Sequence, residues 1–483
     1  MEWIDWLLHG GRYLAAALTL LTALLAAGHA VIWKRDSRSA VLWVVVIWLV
    51  PLGGPLLYLL LGINRIERRA TALRREDGRA QSAPRDNPCA PAPAGECAVP
   101  EALRPLANLV GQLVPRALLP GNRIEPLVNG GEAYPAMLEA IEGARASLAL
   151  ATYIFDRDGI GRQFVEALGR AVARGVEVRV LLDDTDARFS WGSAARALRR
   201  AGVPVGVFNP TLVPARFHAA HLRNHSKILV ADGRVGFTGG INIATDYWHA
   251  ARAGECSRDL HFRLHGPVVA HLAEVFAADW QFATDEVLAG EKWFPALASC
   301  GPMAARGIET GPDENFERLR WTIHGALAAA RTSERILTPY FLPDGALISA
   351  LNVAAMRGVE VDILLPERND LPHVKWAMHA QLWQVLECGC RVWLMPGPFD
   401  HSKLLLVDGA WSLFGSANWD ARSLRLNFEF NVECYSAELG ERLEAFVQSK
   451  RAAARRVTSE AMDARPLPVK LRDGIARLFA PYL

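Results

Sequence analysis

One pattern of reactive side chains occurs twice in the sequence. Each copy has a histidine, a lysine two positions later, an aspartate five positions after the lysine, and an asparagine that follows a short turn of small residues. The copies match position for position at an offset of 176 residues. A four-part pattern repeated in register indicates two half-sites that act together. The first copy consists of His225, Lys227, Asp232 and Asn242, and the second of His401, Lys403, Asp408 and Asn418.

These residue types suit the transfer of a phosphoryl group. Of two imidazoles, one can attack phosphorus while the other protonates the leaving group. A lysine two positions from the histidine lies on the same face of a strand, where its ammonium can hold a phosphate oxygen. The two asparagines can donate hydrogen bonds to the same anion, which predicts a phosphate clamp without a metal ion. We expect Asp232 and Asp408 to stabilise the strand and turn and the electrostatics of the site rather than to transfer protons.

The doubled pattern resembles the duplicated H-x-K-x4-D signature of the phospholipase D superfamily. The resemblance implies that one histidine forms a phosphohistidine intermediate and the other protonates the departing alcohol. By resemblance alone, the nucleophile is His225 and the acid is His401. In that superfamily an acidic residue downstream orients each histidine, and the matching positions are Asp259 in RDLHF and Glu429 in LNFEFN. The alternative for each carboxylate is a solvated charge on a strand.

Two similar halves carry the two copies of the pattern. In the first half, SLALATYIF at 147–155 predicts a buried strand that is followed by a helix and a second strand, VEVRVLLDD. RILTPYF at 335–341 opens the same order in the second half, and the string RGVEV occurs once in each. Strand–helix–strand units predict a βαβ layout. The predicted fold class is α/β, with two pseudo-symmetric phospholipase D-like domains, 101–300 and 301–483, that form one shared active site.

The N-terminal region, 1–63, predicts a two-helix transmembrane hairpin. Two uncharged apolar stretches, about 13–33 and 40–62, are each long enough to cross a bilayer core. Pro51 and its glycine-rich surroundings interrupt the second stretch, so it either kinks or is re-entrant. A basic segment and a Pro/Ala-rich linker follow at 64–100. The excess of Lys and Arg on the side of the hairpin's ends predicts that the catalytic domains face the cytoplasm.

Composition narrows the function classes further. The chain has 483 residues and a net charge of +2, which argues against a nucleic-acid-binding protein. Among seven cysteines the one close pair, Cys388 and Cys390, fits neither a disulfide framework nor a zinc site. We therefore expect a reducing compartment. The C-terminal segment LPVKLRDGIARLFAPYL is either an interfacial membrane segment or an amphipathic helix packed on the protein.

The whole architecture resembles that of the bacterial cardiolipin synthases, a branch of the same superfamily. The resemblance rests on the two spans, the linker, the two halves, the string YFLPD and the string NWDARSLRLNFEFN. It implies an inner-membrane enzyme that transfers a phosphatidyl group from one phosphatidylglycerol to another, giving cardiolipin and glycerol. Membrane phospholipids are then the partners, and neither nucleic acid nor a cofactor is required. Ser226 and Trp393 depart from the usual residues, at positions that bear on substrate choice.

Three other functions are open on the residues alone. A membrane-anchored phospholipase D would use water as the acceptor and release phosphatidic acid. A nuclease of the superfamily would need a basic groove with interleaved aromatic residues, which the sequence does not show. A lipid-binding scaffold with a dead site would have lost a signature histidine or lysine, and all four are present. The sequence leaves the oligomeric state, the acyl preference and the order of the two histidines undetermined.

Overall fold

The structure is a computed structural model in which the chain forms two compact units, Met1–Arg68 and Arg69–Leu483. The predicted basic segment and linker, 64–100, lie outside the described residues apart from the last two positions. Five cysteines are described, and all five are free thiols. The described residues are 2–34, 37–62, 99–157, 159–184, 194–209, 223–248, 256–312, 315 and 317–480.

Apolar helices make up the N-terminal unit. Helix α1 spans Glu2–Trp33, and its segment Tyr13–Trp33 is the one described helical stretch that is long and apolar enough to cross a membrane. Helix α2 spans Ser37–Leu49 and packs against a row of alanines on α1. Small side chains let two helices approach closely. The first predicted span therefore coincides with a continuous helix of sufficient length.

The second predicted span, 40–62, is not one continuous helix. After α2 the chain breaks, then continues as helix α3, Gly53–Leu57, and a π-helical turn, Tyr58–Gly62. Pro51 lacks a backbone N–H, and Leu52 adopts a left-handed conformation with a φ of 59°. The helix before the break has 13 residues, fewer than the roughly 20 that a straight span requires. The interruption expected from the proline and glycines thus divides this stretch into short segments.

A fifteen-stranded mixed sheet is the centre of the α/β unit. Its strands are β1 Leu119–Val128, β2 Ser147–Thr152, β3 Glu177–Asp183, β4 Val205–Phe208, β5 Ile228–Ala231, β6 Val235–Gly239, β7 Leu260–His265, β8 Met303–Thr310, β9 Ser333–Leu337, β10 Glu360–Pro366, β11 Arg391–Met395, β12 Leu404–Val407, β13 Trp411–Gly415, β14 Glu429–Tyr435 and β15 Arg455–Val457. The described helices are α4 Arg104–Leu113, α5 Asn129–Gly143, α6 Ile160–Ala173, α7 Ala194–Arg200, α8 Val269–Thr284, α9 Arg318–Ala329, α10 Gly345–Met356, α11 Pro372–His379, α12 Trp383–Leu386, α13 Ala421–Arg425, α14 Ala437–Ala453, α15 Ser459–Asp463 and α16 Leu467–Leu478.

The strand order contains one arrangement twice. From the centre of the sheet outward, the first half runs β1-β7-β6-β5-β2-β3-β4 and the second runs β8-β14-β13-β12-β9-β10-β11, with β15 at the edge. In each half the predicted strand pair is parallel around its connecting helix, β2 with β3 and β9 with β10. The predicted α/β class is thus confirmed. The boundary at 300/301 stays a prediction, because β1 and β8 pair and the halves form one compact unit.

Buried apolar strands fix the start of each signature. Strands β5 and β12, with the sequences ILVA and LLLV, are buried along their whole length, as are the neighbouring β2 and β13. Phe164 and Leu168 of α6 lie in the same buried cluster as Leu229 of β5. In the second half, Leu347 and Leu351 of α10 cover the sheet in the same way. Each signature histidine lies three residues before one of these rigid central strands.

Candidate active site

The two signature histidines lie where the two halves meet. His225 precedes β5, and its backbone N–H donates to the carbonyl oxygen of Phe428, in the second half, at 2.8 Å. His401 precedes β12, and its N–H donates to the carbonyl oxygen of Arg258, in the first half, at 2.7 Å. Both imidazoles are buried. Each histidine is therefore attached through its backbone to the opposite half.

The orienting carboxylates are exchanged between the halves. Nδ1 of His225 lies 2.9 Å and 3.0 Å from the two carboxylate oxygens of Glu429, in the second half. Nδ1 of His401 lies 2.9 Å from Oδ2 of Asp259, in the first half. A carboxylate on Nδ1 fixes the tautomer and leaves Nε2 as the nitrogen that reacts. Each half thus supplies one histidine and the carboxylate for the other.

The two signature lysines lie beside the histidines and are buried with them. Nζ of Lys227 donates to the carbonyl oxygen of His225 at 2.8 Å, and Nζ of Lys403 donates to that of His401 at 2.5 Å. Burial lowers the pKa of Lys227 to about 7 and that of Lys403 to about 8. Lys403 also acts to lower the pKa of His225, which places the two half-sites within electrostatic reach of each other. The arrangement concentrates positive charge where an anionic phosphate would bind.

The two signature asparagines are buried, and both already have contacts on the protein. Oδ1 of Asn242 accepts from the backbone N–H of Ile154 at 3.3 Å, and the same side chain bonds to Tyr247. Asn418 bonds to Asp420, while its own Oδ1 has no partner among the described residues. Their predicted role as donors to a phosphate stays a prediction, because a bound anion would compete with these contacts.

The signature aspartates lie at the opposite end of their strands from the histidines. Asp232 follows β5, and its carboxylate accepts hydrogen bonds from three successive backbone N–H groups, those of residues 145–147. Asp408 follows β12 and accepts from the N–H groups of residues 331–333 and from the Thr332 hydroxyl. The structure therefore places both as ties between a hairpin turn and the start of the adjacent strand, and not beside the imidazoles.

Replacing Asp408 with alanine is expected to destabilise the α/β unit by roughly 2–4 kcal/mol while leaving the chemistry intact. Alanine removes the bonds to 331–333 and keeps a Cβ in a left-handed conformation, with a φ of 51°, without the polar side chain that helps aspartate adopt it. Glycine tolerates that conformation, so Asp408→Gly should lose only the hydrogen bonds and fall between the alanine variant and the original. The measurement is the thermal unfolding midpoint together with activity at low temperature. An alanine variant that unfolds normally but is inactive would place Asp408 in the chemistry instead.

At one position of the repeated pattern the residue differs between the halves, and this position lies beside the orienting carboxylate in each half. Ser416 in the second copy stands where the first copy has Gly240. The Ser416 hydroxyl donates to Glu429 at 2.5 Å, and Asn427 donates to the same carboxylate at 3.2 Å. A side chain at 240 would collide with Asp259, because an added Cβ would lie 2.4 Å from its Oδ1. The mismatch is visible in the sequence, but its meaning depends on the exchanged carboxylates.

The two pairs also differ in their affinity for a proton. For Glu429, burial acts to raise the pKa, but His225, Lys227 and Ser416 together hold it below its ordinary value. Burial raises the pKa of Asp259 to about 7. The pKa of His225 falls to about 4 through burial, which Glu429 opposes. The His225–Glu429 pair therefore contains a neutral imidazole and an ionised carboxylate near pH 6, whereas Asp259 still retains a proton there.

Three tyrosines complete the site, and the sequence analysis assigned no role to them. The ring of Tyr153 lies 4.9 Å from the ring of His225 and 5.3 Å from Nζ of Lys227. The ring of Tyr340 lies 6.4 Å from that of His401. The Tyr247 hydroxyl lies 3.2 Å from Nδ1 of His401. Tyr153 and Tyr340 occupy matching places in TYIF and PYFL, so the repeat itself contained a signal for these two.

The matched family models cover both halves of the chain. The model described as cardiolipin synthase, PLD-like domain, matches residues 137–280 and 323–450, and each match contains one signature. A second model, described as phospholipase D-nuclease N-terminal, matches residues 20–62. Among solved structures, phosphatidylserine synthase from Haemophilus influenzae superposes with a TM-score of 0.61. It covers 80% of this chain and all of its own length at 16% identity, which shows a shared fold.

Curated relatives extend over most of the sequence. Cardiolipin synthase 1 of Staphylococcus epidermidis is 32% identical over 369 residues, which cover 76% of this chain and 75% of the relative. Cardiolipin synthase of Listeria monocytogenes is 28% identical over 487 residues, 98% of this chain and 99% of the relative. The predicted family is thereby confirmed. Because both halves and the full architecture match, the chain belongs to the cardiolipin synthase family of the phospholipase D superfamily.

Proposed function

We propose that the protein catalyses phosphatidyl transfer from one phosphatidylglycerol to another, which yields cardiolipin and glycerol. The observation that carries this proposal is the exchange of carboxylates between the halves, because it builds two histidine–carboxylate pairs and two buried lysines into one site. Such a site can form and break a phosphorus–nitrogen bond and transfer a proton on each side of phosphorus. The names of the curated relatives supply the lipid class.

In the first step, Nε2 of His225 attacks the phosphorus of the donor lipid. The bond from phosphorus to the glycerol oxygen breaks, and that oxygen takes the proton on Nε2 of His401 while the proton of Asp259 moves to Nδ1. Glycerol leaves, and the phosphatidyl group is bonded to His225. Lys227 and Lys403 stabilise the negative charge that develops on the phosphate oxygens, with Asn242 and Asn418 as further donors.

In the second step, His401 accepts the proton of a terminal hydroxyl on a second phosphatidylglycerol. The hydroxyl oxygen bonds to phosphorus, the phosphorus–nitrogen bond breaks, and His225 returns to its neutral form. One phosphodiester has replaced another, so the exchange is nearly thermoneutral and requires no nucleotide. A water molecule in place of the second lipid would give phosphatidic acid, so the outcome depends on what occupies the acceptor side.

The difference between the two carboxylates supports the assignment of roles. His225 is neutral beside an ionised Glu429 that has the Ser416 hydroxyl as an additional partner, which suits a nucleophile. Burial raises the pKa of Asp259 to about 7 and holds the pKa of His401 well below its ordinary value, so near neutral pH the proton of this pair lies on Asp259 and can reach the leaving group through His401, which suits a general acid. An acid must release its proton in the first step and recover one in the second, so a pKa near the working pH is favourable.

We also propose that the N-terminal helices anchor the enzyme as a hairpin in the bacterial inner membrane, with the catalytic halves on the cytoplasmic side. Two observations support the anchor, the apolar segment Tyr13–Trp33 and the N-terminal family match at 20–62. The orientation rests on the distribution of Lys and Arg in the sequence. Because α2 is short, the second segment of the hairpin crosses as a kinked helix or re-enters from the same side.

The value of kcat/KM is expected to fall as the pH rises above about 7. Burial lowers the pKa of Lys227 to about 7, so this lysine loses its positive charge above that pH in the free enzyme. The proton shared by Asp259 and His401 is lost in the same range. On the acid side, His225 stays neutral until the pH approaches 4. Initial rates of cardiolipin formation at constant vesicle composition would measure both limbs.

The two kinetic parameters should respond differently to pH. A bound phosphodiester stabilises both ammonium groups, so the alkaline limb of kcat should lie at higher pH than that of kcat/KM. A kcat/KM that still rises between about pH 7 and pH 9 would contradict the requirement for protonated lysines.

Reconstitution in phosphatidylglycerol vesicles, followed by mass spectrometry of the lipids, tests the proposed function. Cardiolipin with an equal amount of free glycerol is the expected result. Phosphatidic acid without cardiolipin would mean that water is the acceptor and that the protein is a hydrolase. The His225→Asn variant, purified and reconstituted in parallel, controls for contaminating activity. Absence of any product from phosphatidylglycerol alone would overturn the proposed donor.

A further inference from the structure

The C-terminal helix α16 displays an apolar face to solvent. Leu467, Leu471, Ile475 and Leu478 are between 51% and 76% exposed, and Phe479, just after the helix, is 58% exposed. The spacing of four, four and three residues puts the four helical side chains on one face. A helix of a soluble protein usually turns such a face toward the core, so an exposed apolar face of this kind indicates a binding surface.

The opposite side of α16 is firmly attached to the protein. Asp473 is fully buried and bonds to the guanidinium groups of Arg465 and Arg472, each at 2.7 Å. The guanidinium of Arg472 also lies 4.5 Å from the ring centroid of Trp376 in helix α11. Arg477 donates to the carbonyl oxygen of Ala380, just after α11. These contacts determine which face of the helix points outward. The leucines are therefore exposed because of how α16 packs on the protein.

Exposed large apolar side chains are concentrated at this place. Among the described residues of the α/β unit, thirteen such side chains are exposed, and five of them fall within Leu467–Phe479. Trp383 of α12 and Val353 and Met356 of α10 add further exposed apolar surface in the same half. In the described part of the first half, only three residues of this kind are exposed, at 109, 154 and 287. Because the two halves share one fold, this difference in exposed apolar surface indicates a function that only the second half has.

We infer that the apolar face of α16 inserts into the surface of an anionic lipid bilayer. Between Arg465 and Phe479 the chain has four basic residues and one acidic residue, and that acid is the buried Asp473. Helical spacing places Lys470 on one edge of the apolar face, 4.0 Å from the exposed Asp463, and Arg472 on the other edge, where it pairs with the buried Asp473, and both basic side chains are partly exposed. An apolar stripe with basic edges is the pattern of a helix that lies in the membrane interface beside anionic headgroups. A second copy of the chain would instead bring like charges together along the same edges.

The helix is linked to the active site through helix α11 and Asp370. α16 packs along α11, which begins two residues after Asp370. The carboxylate of Asp370 accepts the hydroxyl of Tyr340 at 2.8 Å, and the ring of Tyr340 lies 6.4 Å from that of His401. Insertion of α16 would therefore hold the His401 side of the site close to the bilayer that contains both lipid substrates. This inference rests on the proposed function, since it presumes that the substrates are membrane lipids.

Photo-crosslinking of the full chain tests the inference without a variant. The protein is reconstituted in vesicles that contain phosphatidylglycerol with a diazirine in its acyl chain, irradiated and digested. Lipid adducts are expected on peptides from Leu467–Phe479 and from α1, whose apolar segment is the internal positive control. The peptide that contains Val287, an exposed apolar residue outside this surface, should carry none. Adducts on α1 but not on 467–479 would overturn the inference, as would chain-to-chain links between two copies of this segment.

A charged variant tests the consequence for catalysis. The triple variant Leu471→Glu, Ile475→Glu and Leu478→Glu should lose about tenfold or more of its rate on vesicles of long-chain phosphatidylglycerol. It should retain its rate on short-chain phosphatidylglycerol in detergent, which requires no docking and also reports that the site is folded. Val287→Glu is the matched control and should behave as the original protein in both assays. An unchanged vesicle rate in the triple variant would overturn the inference, whereas failure of the original protein to make cardiolipin would overturn only the proposed function.

Discussion

Replacing His225 with asparagine is expected to block the first step with every donor lipid, whereas His401→Asn should block that step only with donors that have a poor leaving group. The loss with phosphatidylglycerol should reach about four orders of magnitude for His225 and about two to four orders for His401. Without His225 no covalent intermediate can form. Without His401 the nucleophile is intact, but the glycerol oxygen leaves without a proton.

A donor whose leaving group needs no proton separates the two cases. With p-nitrophenyl phosphatidate, the His401→Asn variant should release one equivalent of nitrophenol in a burst and then stop, because the acceptor alcohol has no base. The phosphatidyl group should then be found on His225 by mass spectrometry of the digested protein. The His225→Asn variant should show no burst. A burst from His225→Asn and none from His401→Asn would mean that the two histidines have the opposite roles.

The exchange of carboxylates between the halves predicts a second large effect with an unusual pattern. Glu429→Gln should resemble loss of His225, and Asp259→Asn should resemble loss of His401, with rates reduced by about 10²–10⁴-fold. In Glu429→Gln the amide can donate to Nδ1 of His225, so it favours the tautomer in which Nε2 carries the hydrogen and cannot attack. In Asp259→Asn the amide has no carboxyl proton to pass to Nδ1 of His401 when Nε2 gives its proton to the leaving group. The order of the residues in the sequence would suggest the opposite pairing, in which each carboxylate orients the histidine of its own half.

The burst assay distinguishes these pairings. Asp259→Asn should retain the burst with p-nitrophenyl phosphatidate, and Glu429→Gln should lose it. Double variants provide the control, because substitutions of residues that act together have strongly non-additive effects on the rate. Asp259→Asn should add little to His401→Asn but should act independently of Ser416→Ala. A burst lost in Asp259→Asn and retained in Glu429→Gln would mean that the pairing in the working enzyme is within each half.

The positions of the site's histidines and lysines were predictable because the pattern that marks them is local. A histidine, a lysine two positions later and an apolar strand after them form one short pattern, and the repeat at a fixed offset indicated a single shared site. The parallel strand–helix–strand units followed from the same kind of short-range pattern. Even the role of Asp408 in the turn followed from the type of residue and its place after a strand.

The contacts between residues that lie far apart in the sequence were not predictable. His225 and Glu429 are 204 residues apart, and nothing near either one indicates that they meet. The partners of Asn242 and Asn418 likewise come from other segments, so their amide groups could not be counted from the sequence. The second apolar stretch illustrates a different limit. Its composition predicted an interrupted span, and the structure contains the interruption, but the conformation of Leu52 and the short lengths of the helices around it could not be predicted from the residue types.

The pairing of Ser416 with Glu429, against Gly240 beside Asp259, has a consequence for why the enzyme is one chain. A site assembled from two identical halves would have two interchangeable histidines. Either one could attack phosphorus, and the other would then act as the acid. In a single chain one position can change without its counterpart, and under the proposed mechanism the Ser416 hydroxyl would favour His225 as the nucleophile. The leaving glycerol and the acceptor hydroxyl would then both use the side of His401. A fixed division of labour between the two histidines is thus open to a single chain and not to a site built from two identical halves.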